Sequence, residues 1–181
     1  MSIWFVYATY LAAVNPARLR PALPERDTRV HWAPILSGAT ATLVVGFFLV
    51  AVSTDLLDAL EITPETWRIA AGSIATLVGL RVLASPGRAE EPRLRGRWAA
   101  VVPMAFPLLI TPELVALVSL FGATEPATRS AGGLIAAIAV GTATGAAAHR
   151  RPSLWLAAAR LFAAMLILGG LAMIVEGIRD V

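Results

Sequence analysis

The sequence predicts an all-α integral membrane protein of six transmembrane helices, arranged as two three-helix repeats that are inverted relative to each other. Three observations lead to this fold class. Of the 181 residues, 57% are hydrophobic and the mean hydropathy is +0.73, whereas a soluble domain is about 45–50% apolar. The apolar residues form long runs separated by short Arg-rich turns. Two of these runs are interrupted by proline at corresponding places in the two halves.

Each predicted helix follows one apolar run. The six runs are 3–14, 32–57, 64–84, 101–121, 128–148 and 154–178. The first ends at Asn15-Pro16 and falls short of the roughly 20 residues that a crossing helix needs. The fourth contains three prolines: Pro103, Pro107 and Pro112. Because proline inside a helix removes a hydrogen bond and clashes with the preceding turn, we predict that helices 1 and 4 are broken.

The start of the third helix has a local signal. Thr63-Pro64-Glu65 has the order of an N-cap, a first-turn proline and a first-turn acid, which favours a helix beginning at Pro64. Further along this helix, Ala71, Ala75 and Gly79 recur at four-residue spacing. Such a small-residue face predicts close approach of a neighbouring helix.

The charged turns predict the domain boundaries and the orientation. We divide the chain into a first repeat (1–86), an Arg-rich cytoplasmic linker (87–97) and a second repeat (98–181). The turns after the first, third and fifth runs are rich in Arg, so they are predicted to be cytoplasmic and both termini to lie outside. All 15 basic residues are Arg, and with many Ala and Gly this composition indicates a GC-rich bacterium. The predicted location is therefore a bacterial plasma membrane.

The two halves share a plan. Each begins with a short or proline-broken helix, at Asn15-Pro16 and at Thr111-Pro112. In each half the third helix has a Trp and then an Arg near its start: Trp67-Arg68 in one, and Trp155 with Arg160 in the other. Since three is an odd number, a duplicated half would lie upside down in the membrane, as in many secondary transporters.

These motifs resemble those of the MarC family of membrane proteins. The segments that carry the resemblance are AVNPARLRPALPERD, LEITPETWRIAAGSIATLVGLRVL, VVPMAFPLLITPELVALVSLFGA and the terminal GLAMIVEGI. The resemblance places Asn15-Pro16 at the family's first-helix motif and Arg68 and Gly72 at the start of its third helix. It implies a divergent relative of the LysE-type exporters, which are six-helix transporters. Thr111-Pro112-Glu113 stands where that family has Gly-Pro-Gly, and this departure adds a charge.

The breaks supply the candidate substrate or ion site. A broken helix leaves backbone carbonyls that only protein, water or a ligand can satisfy within a membrane. We expect the side chains of Asn15 and Thr111 to line a polar cavity beside Pro16 and Pro112, unless they only cap the helix ends. Glu113 is the acidic residue well inside an apolar run, and it is a candidate for proton or cation coupling or for recognition of a basic group.

Three further features have both a functional and a structural interpretation. Arg68 and Arg160 are candidates to pair with Glu113 or to bind an anionic solute, although an Arg near a helix end often extends to the interface instead. Four small residues share one face of the fifth helix: Gly133, Ala137, Gly141 and Gly145. This face predicts helix packing, or contact with a second copy or a partner subunit. Arg18 and Arg20 are orientation charges, or they hold anionic lipid headgroups.

Together these features predict a secondary transporter that exports a small polar solute and is coupled to protons. The alternatives are a non-transporting membrane subunit or scaffold and a lipid-handling protein. The chain has no cysteine, and the predicted helices contain no Ser/His, paired-Asp or His-metal arrangement, so we expect no enzyme activity, cofactor or metal. Membrane lipids and the solute are the expected partners, and the +3 net charge is no nucleic-acid signal because it lies in the turns.

Overall fold

The computed structural model describes residues 2–15, 32–84, 110–148 and 152–181, and it confirms an all-helical fold over these residues. The six helices are α1 (Ile3–Val14), α2 (Trp32–Ala59), α3 (Pro64–Ala84), α4 (Pro112–Thr124), α5 (Ala127–Ala148) and α6 (Pro152–Asp180). The bounds of α3 are those that the sequence predicts. Its start is fixed by the Thr63 side chain, whose Oγ1 accepts a hydrogen bond from the backbone N–H of Thr66 at 3.3 Å.

Local chemistry explains where α1 ends. Asn15 has φ 35 and ψ 92, and its backbone N–H donates to the carbonyl oxygen of Leu11 at 3.2 Å. Asn tolerates a positive φ better than other side chains, and Pro16 cannot continue the hydrogen-bond ladder. The predicted end of the first helix at Asn15-Pro16 is therefore confirmed.

Local chemistry also explains where α4 begins. Thr111 has an extended backbone (φ −103, ψ 155), and its Oγ1 accepts from the backbone N–H of Leu114 at 3.3 Å. Pro112 occupies the first turn, where its missing N–H costs nothing. The predicted span 101–121 thus yields a described helix only from Pro112 onwards. Residues 101–109, with Pro103 and Pro107, lie outside the described part, as does 16–31.

α3 and α6 form the most extensive helix pair, and glycine makes their contact close. A methyl group added at Gly72 would lie 2.6 Å from the carbonyl oxygen of Gly170, and one at Gly79 would lie 2.9 Å from that of Ala163. A methyl group at Gly177 would lie 3.0 Å from the carbonyl oxygen of Glu65. Residue numbers rise along α3 as they fall along α6, so the two helices are antiparallel. The predicted small-residue face of α3 is confirmed.

The remaining pairs enclose α1 and α4. α1 packs on α5 and α6, while α4 packs on α2 and α3. Tyr10 of α1 faces Gly133 of α5, and Val14 faces Gly141, so α1 and α5 run parallel. α4 and α2 also run parallel, because Leu114 lies beside Gly46 and Gly122 lies beside Ser53.

The stripe on α5 is filled by α1. Gly133 contacts the rings of Tyr7 and Tyr10, Gly141 contacts Val14, and Ala137 is 3% exposed. The prediction of helix packing is therefore confirmed, whereas a second chain could dock on Gly133 and Gly141 only by displacing α1. Contact of a second copy or a partner subunit with this face stays a prediction. The side chains beyond residue 144 of α5 lie outside the described part.

The outer surface is apolar, as expected for a protein embedded in lipid. Within the described part of the chain, three helices are long and apolar enough to cross a membrane: Ile35–Ala59, Pro64–Ala84 and Leu156–Asp180. Large exposed apolar side chains on these helices include Phe48, Leu77, Leu168 and Val175, each more than 60% exposed. A soluble protein seldom exposes so much contiguous apolar surface. With 12 and 13 residues, α1 and α4 are too short to cross alone.

Candidate functional site

The two helix ends place polar groups in the interior. Asn15 is 2% exposed, Thr111 is 3% exposed and Glu113 is 1% exposed. Neighbouring positions of α4 and α1 are equally buried but apolar, among them Val14 and Leu114. The polar atoms therefore lie inside the helix bundle and not at its lipid surface.

The neighbouring helices show how deep these ends lie. Leu114 shares a recess with Thr42, which is about 15 Å along α2 from its start and about 25 Å from its end. Val14 contacts Gly141, which is about 21 Å from the start of α5 and about 10 Å from its end. Both helix ends thus lie well within the length of the helices around them.

The two ends lie at similar depths. The rings of Tyr10 and Phe121 meet edge to face, with centroids 5.2 Å apart, which sets α1 beside α4. Asn15 lies about 7.5 Å beyond Tyr10 along α1, and Glu113 lies about 12 Å before Phe121 along α4. Because α1 and α4 run in opposite directions, Asn15 and Glu113 differ in depth by about 5 Å, which is one helical turn.

Glu113 belongs to the first turn of α4. The unpaired N–H groups of a helix start carry partial positive charge and favour an anion there. The arrangement thus provides a fixed positive helix end and a carboxylate within the bundle, beside the carbonyl-rich end of α1. A cation or a hydrogen-bond donor is the chemical group that a carboxylate and carbonyl oxygens can bind.

Arg68 and Arg160, the two arginines predicted to take part in the site, do not lie close to each other in the structure. Arg68 donates through Nη1 to Oδ2 of Asp180 at 2.5 Å, at the end of the α3–α6 pair. Arg160 is exposed and lies on α6 one turn before Ala163, which faces Gly79. The α3–α6 contacts put these two arginines at opposite ends of the pair, about 21–24 Å apart along it. The position of Arg68 favours a structural ion pair.

Three residues that the sequence analysis did not single out form a layer beside the candidate site. Tyr10, Phe121 and Ser130 are each 0% exposed. The hydroxyl groups of Tyr10 and Ser130 form a hydrogen bond of 2.8 Å, and the Tyr10 ring packs against that of Phe121. The sequence offered one signal for this layer, because Tyr10 places a hydroxyl group within the apolar run 3–14. Its partners are more than 100 positions away, so nothing local identified them.

A recess between α2 and α4 lies near the start of α4. It has a cavity volume of only about 10 Å³, is open on one side, and is almost wholly apolar. Its lining is Thr42, Val45, Gly46, Leu49, Ile110, Leu114, Val115 and Val118. Neither Asn15 nor Glu113 contributes to this lining.

Metal binding has no support in the described part of the chain. No group of three or more His, Cys, Asp or Glu side chains lies there in a position to hold a metal ion. Pro16, Arg18 and Arg20, together with the Arg-rich linker, are outside the described residues.

Comparison with known proteins gave no relative. No protein-family model matches the chain, and neither a curated protein nor a solved structure is significantly similar to it. The resemblance to the MarC family therefore stays a prediction from the motifs in the sequence.

Proposed function

We propose that this protein is a secondary transporter of the plasma membrane that exports a small polar solute, with a proton gradient as the energy source. The observation that carries the proposal is the burial of Asn15, Thr111 and Glu113 at the ends of two helices too short to cross. Polar breaks at membrane depth are tolerated where they are buried in protein or line a polar cavity. Interrupted helices of this kind form the binding sites of many secondary transporters.

An internal repeat supports the proposal. Gly72 and Gly170, which approach each other, are 98 positions apart, and so are Gly79 and Gly177. The same shift carries the contact of Gly79 with Ala163 onto the contact of Gly177 with Glu65. It also aligns RIAAGSIATLVGLR with LILGGLAMIVEGIR along α3 and α6. This is the relation expected of two equivalent, antiparallel helices about a two-fold axis.

The pairing of the other helices is consistent with such an exchange. If the first three helices are exchanged with the last three, the pair α1–α5 becomes α4–α2, and the pair α1–α6 becomes α4–α3. All of these pairs are present. The shift of 98 positions itself carries 3–14 onto 101–112, which lies mostly outside the described residues, and it carries Asn15 onto Glu113, two positions beyond Thr111, which the sequence analysis matched to Asn15. Under this proposal the two residues are equivalent positions of two inverted repeats, one keeping an amide and the other a carboxylate.

The proposed mechanism assigns separate tasks to these groups. Glu113 binds the coupling proton or a cationic group of the solute, because its carboxylate is the acidic group at the break. The Asn15 amide and the backbone carbonyls at the end of α1 bind the neutral polar groups of the solute. Rocking of one repeat against the other would expose this site to each side in turn.

A non-transporting scaffold is the second candidate, and one observation favours it. The centre of the bundle beside the breaks is tightly packed, with Leu117, Leu120, Phe121 and Tyr10 all 0% exposed. A scaffold needs such a core and no route through it. In that case the breaks only shape the bundle.

The experiment compares flux through purified protein in liposomes. Vesicles loaded with a pH-sensitive dye receive a pH gradient, and amino acids and small sugars are added singly while proton movement is recorded. Glu113→Gln should abolish solute-dependent proton movement, because the amide keeps the shape and cannot carry the proton. The matched control is Glu176→Gln, since Glu176 is an exposed glutamate on α6. Flux unaffected by Glu113→Gln would remove the coupling role, and the absence of flux in the parent for every solute would favour the scaffold.

A further inference from the structure

The layer formed by Tyr10, Phe121 and Ser130 lies on one side of the candidate site. Phe121 and Ser130 flank the turn at 125–126 that joins α4 to α5, and Tyr10 contacts both of them. From this layer, α1 runs towards Asn15, and α4 leads back towards Glu113. Both polar ends therefore lie on the same side of the layer, away from that turn.

The side chains of this layer and those of neighbouring core positions are fully buried. Tyr10, Phe121 and Ser130 are 0% exposed, and so are the side chains that surround them: Val6, Leu117, Leu120 and Leu134. The layer joins three helices, since Tyr10 belongs to α1, Phe121 to α4 and Ser130 to α5. Among the described residues, a solute could pass between α1, α4 and α5 at this depth only if one of these helices moved.

The contacts within the layer are suited to opening. An edge-to-face aromatic pair contributes about 0.5–1.5 kcal/mol beyond its buried area, and a single hydrogen bond contributes about as much. Both contacts link helices of different repeats under the proposed inverted arrangement. They would therefore break together when one repeat moves against the other.

We propose that Tyr10, Phe121 and Ser130 form the closed gate of the transporter at the end of the bundle that carries the 125–126 turn. The Tyr10–Phe121 ring pair is the barrier, and the Tyr10–Ser130 hydrogen bond holds it shut. This inference rests on the proposed function, and it identifies the conformation described here as one closed towards that end.

The test uses the natural absence of cysteine, because any introduced thiol is then the only one in the chain. Thr111→Cys reports on the break, and Thr128→Cys, at an exposed position just after the turn, reports on the gated end. Each variant is labelled with a membrane-impermeant maleimide in right-side-out and in inside-out vesicles. The Thr128→Cys protein shows which vesicles present the gated end to the reagent.

From the gated end, the thiol at position 111 should be labelled far more slowly than the thiol at position 128. Adding Phe121→Ala should raise its rate about tenfold or more, which corresponds to about 1.4 kcal/mol in the opening equilibrium. Tyr10→Phe keeps the ring and should raise the rate less, because it removes only the hydrogen bond. Met173→Ala is the matched control, since Met173 is 0% exposed in α6 and lies outside the layer; it should leave the rate unchanged.

Three results would overturn the gate: equal labelling of the thiols at 111 and 128 in the parent background, no rise with Phe121→Ala, or an equal rise with Met173→Ala. If Phe121→Ala does not yield folded protein, Tyr10→Phe decides the question. Solute flux in the parent protein, together with no rise in labelling on Phe121→Ala, would overturn the gate and leave the proposed transport standing. The expected labelling pattern without any solute flux would overturn the proposed function and reduce the layer to a static seal.

Discussion

The α3–α6 pair and the α1–α4 pair solve opposite problems in the same bundle. α3 and α6 are 21 and 29 residues long and bring their backbones into contact through Gly72, Gly79, Gly170 and Gly177. α1 and α4 are 12 and 13 residues long, and they bury Asn15, Thr111 and Glu113 at their ends. The α3–α6 pair is built for close packing, whereas the α1–α4 pair buries polar groups that lipid could not accommodate.

The difference shows how stability and function are separated in this fold. In lipid, helix association depends on close packing and interhelical hydrogen bonds, because apolar burial gives little driving force. The glycine contacts of α3 and α6 provide that packing, and the hydroxyl beside Gly170, that of Thr76, donates to the carbonyl oxygen of Gly72 within α3 at 2.8 Å. The α1–α4 pair instead carries the buried polar side chains of Asn15, Thr111 and Glu113.

The largest expected effect is on the α3–α6 pair. A methyl group at position 170 would lie 2.5 Å from the carbonyl oxygen of Gly72 and 2.9 Å from the backbone nitrogen of Thr76. Backbone atoms cannot move aside as side chains do, so Gly170→Ala should cost about 3 kcal/mol, at the upper end of overpacking effects. Thermal unfolding of the purified protein in detergent measures this.

The control for that change is Gly132→Ala. A methyl group there would meet only the hydroxyl end of Tyr7, at 3.1 Å. Since Ala is a better helix former than Gly, this change should be neutral or slightly stabilising. Equal unfolding temperatures for the two variants would show that glycine is not required where α3 meets α6.

A smaller effect is expected in the layer beside α1 and α4. Tyr10→Phe leaves the buried Ser130 hydroxyl without its partner, and this should cost about 1–3 kcal/mol of unfolding free energy. Ser130→Ala should cost a similar amount. The double variant should be less destabilised than the sum of the two, because both changes remove the same hydrogen bond. Additive losses in the double-mutant cycle would argue against a shared hydrogen bond.

The third prediction separates the backbone of Asn15 from its side chain. Asn15 has a positive φ, so Asn15→Ala should cost about 1 kcal/mol more than Asn15→Gly, which removes the same side chain without the backbone strain. If the amide binds solute, Asn15→Gly should still lose transport in the liposome assay. A glycine variant with both full stability and full flux would reduce Asn15 to a helix cap.

The smallest effect is expected at the end of the stable pair. Asp180 is 49% exposed in its ion pair with Arg68, so Asp180→Asn should cost less than about 1 kcal/mol, and high salt should reduce the difference further. Unfolding at two salt concentrations measures it, with Asp58→Asn at an exposed position of α2 as the control. A loss as large as that of Gly170→Ala would mean that this ion pair, and not glycine packing, holds α3 to α6.

Features set by nearby residues could be predicted from the sequence. Pro16 and Pro112 act on the turns beside them, and the side chains of Thr63 and Thr111 cap helices three residues away. The ends of α1 and α3 were therefore predictable to the residue. A break at Thr111-Pro112 was predicted from the proline, and α4 begins there. The part of the run before residue 110 lies outside the described residues, so a helix over 101–109 stays a prediction.

The sequence by itself determined an all-helical chain with helices apolar enough to cross a membrane, the helix ends at Asn15 and Thr111, and the small-residue faces of α3 and α5. Each of these follows from backbone geometry or from side-chain polarity within a few residues. Only the tertiary structure decided that α1 covers the α5 stripe, that Arg68 pairs with Asp180, and that Tyr10 meets Phe121 and Ser130. Such contacts join residues more than 100 positions apart, and their free energy depends on how whole helices are placed against one another.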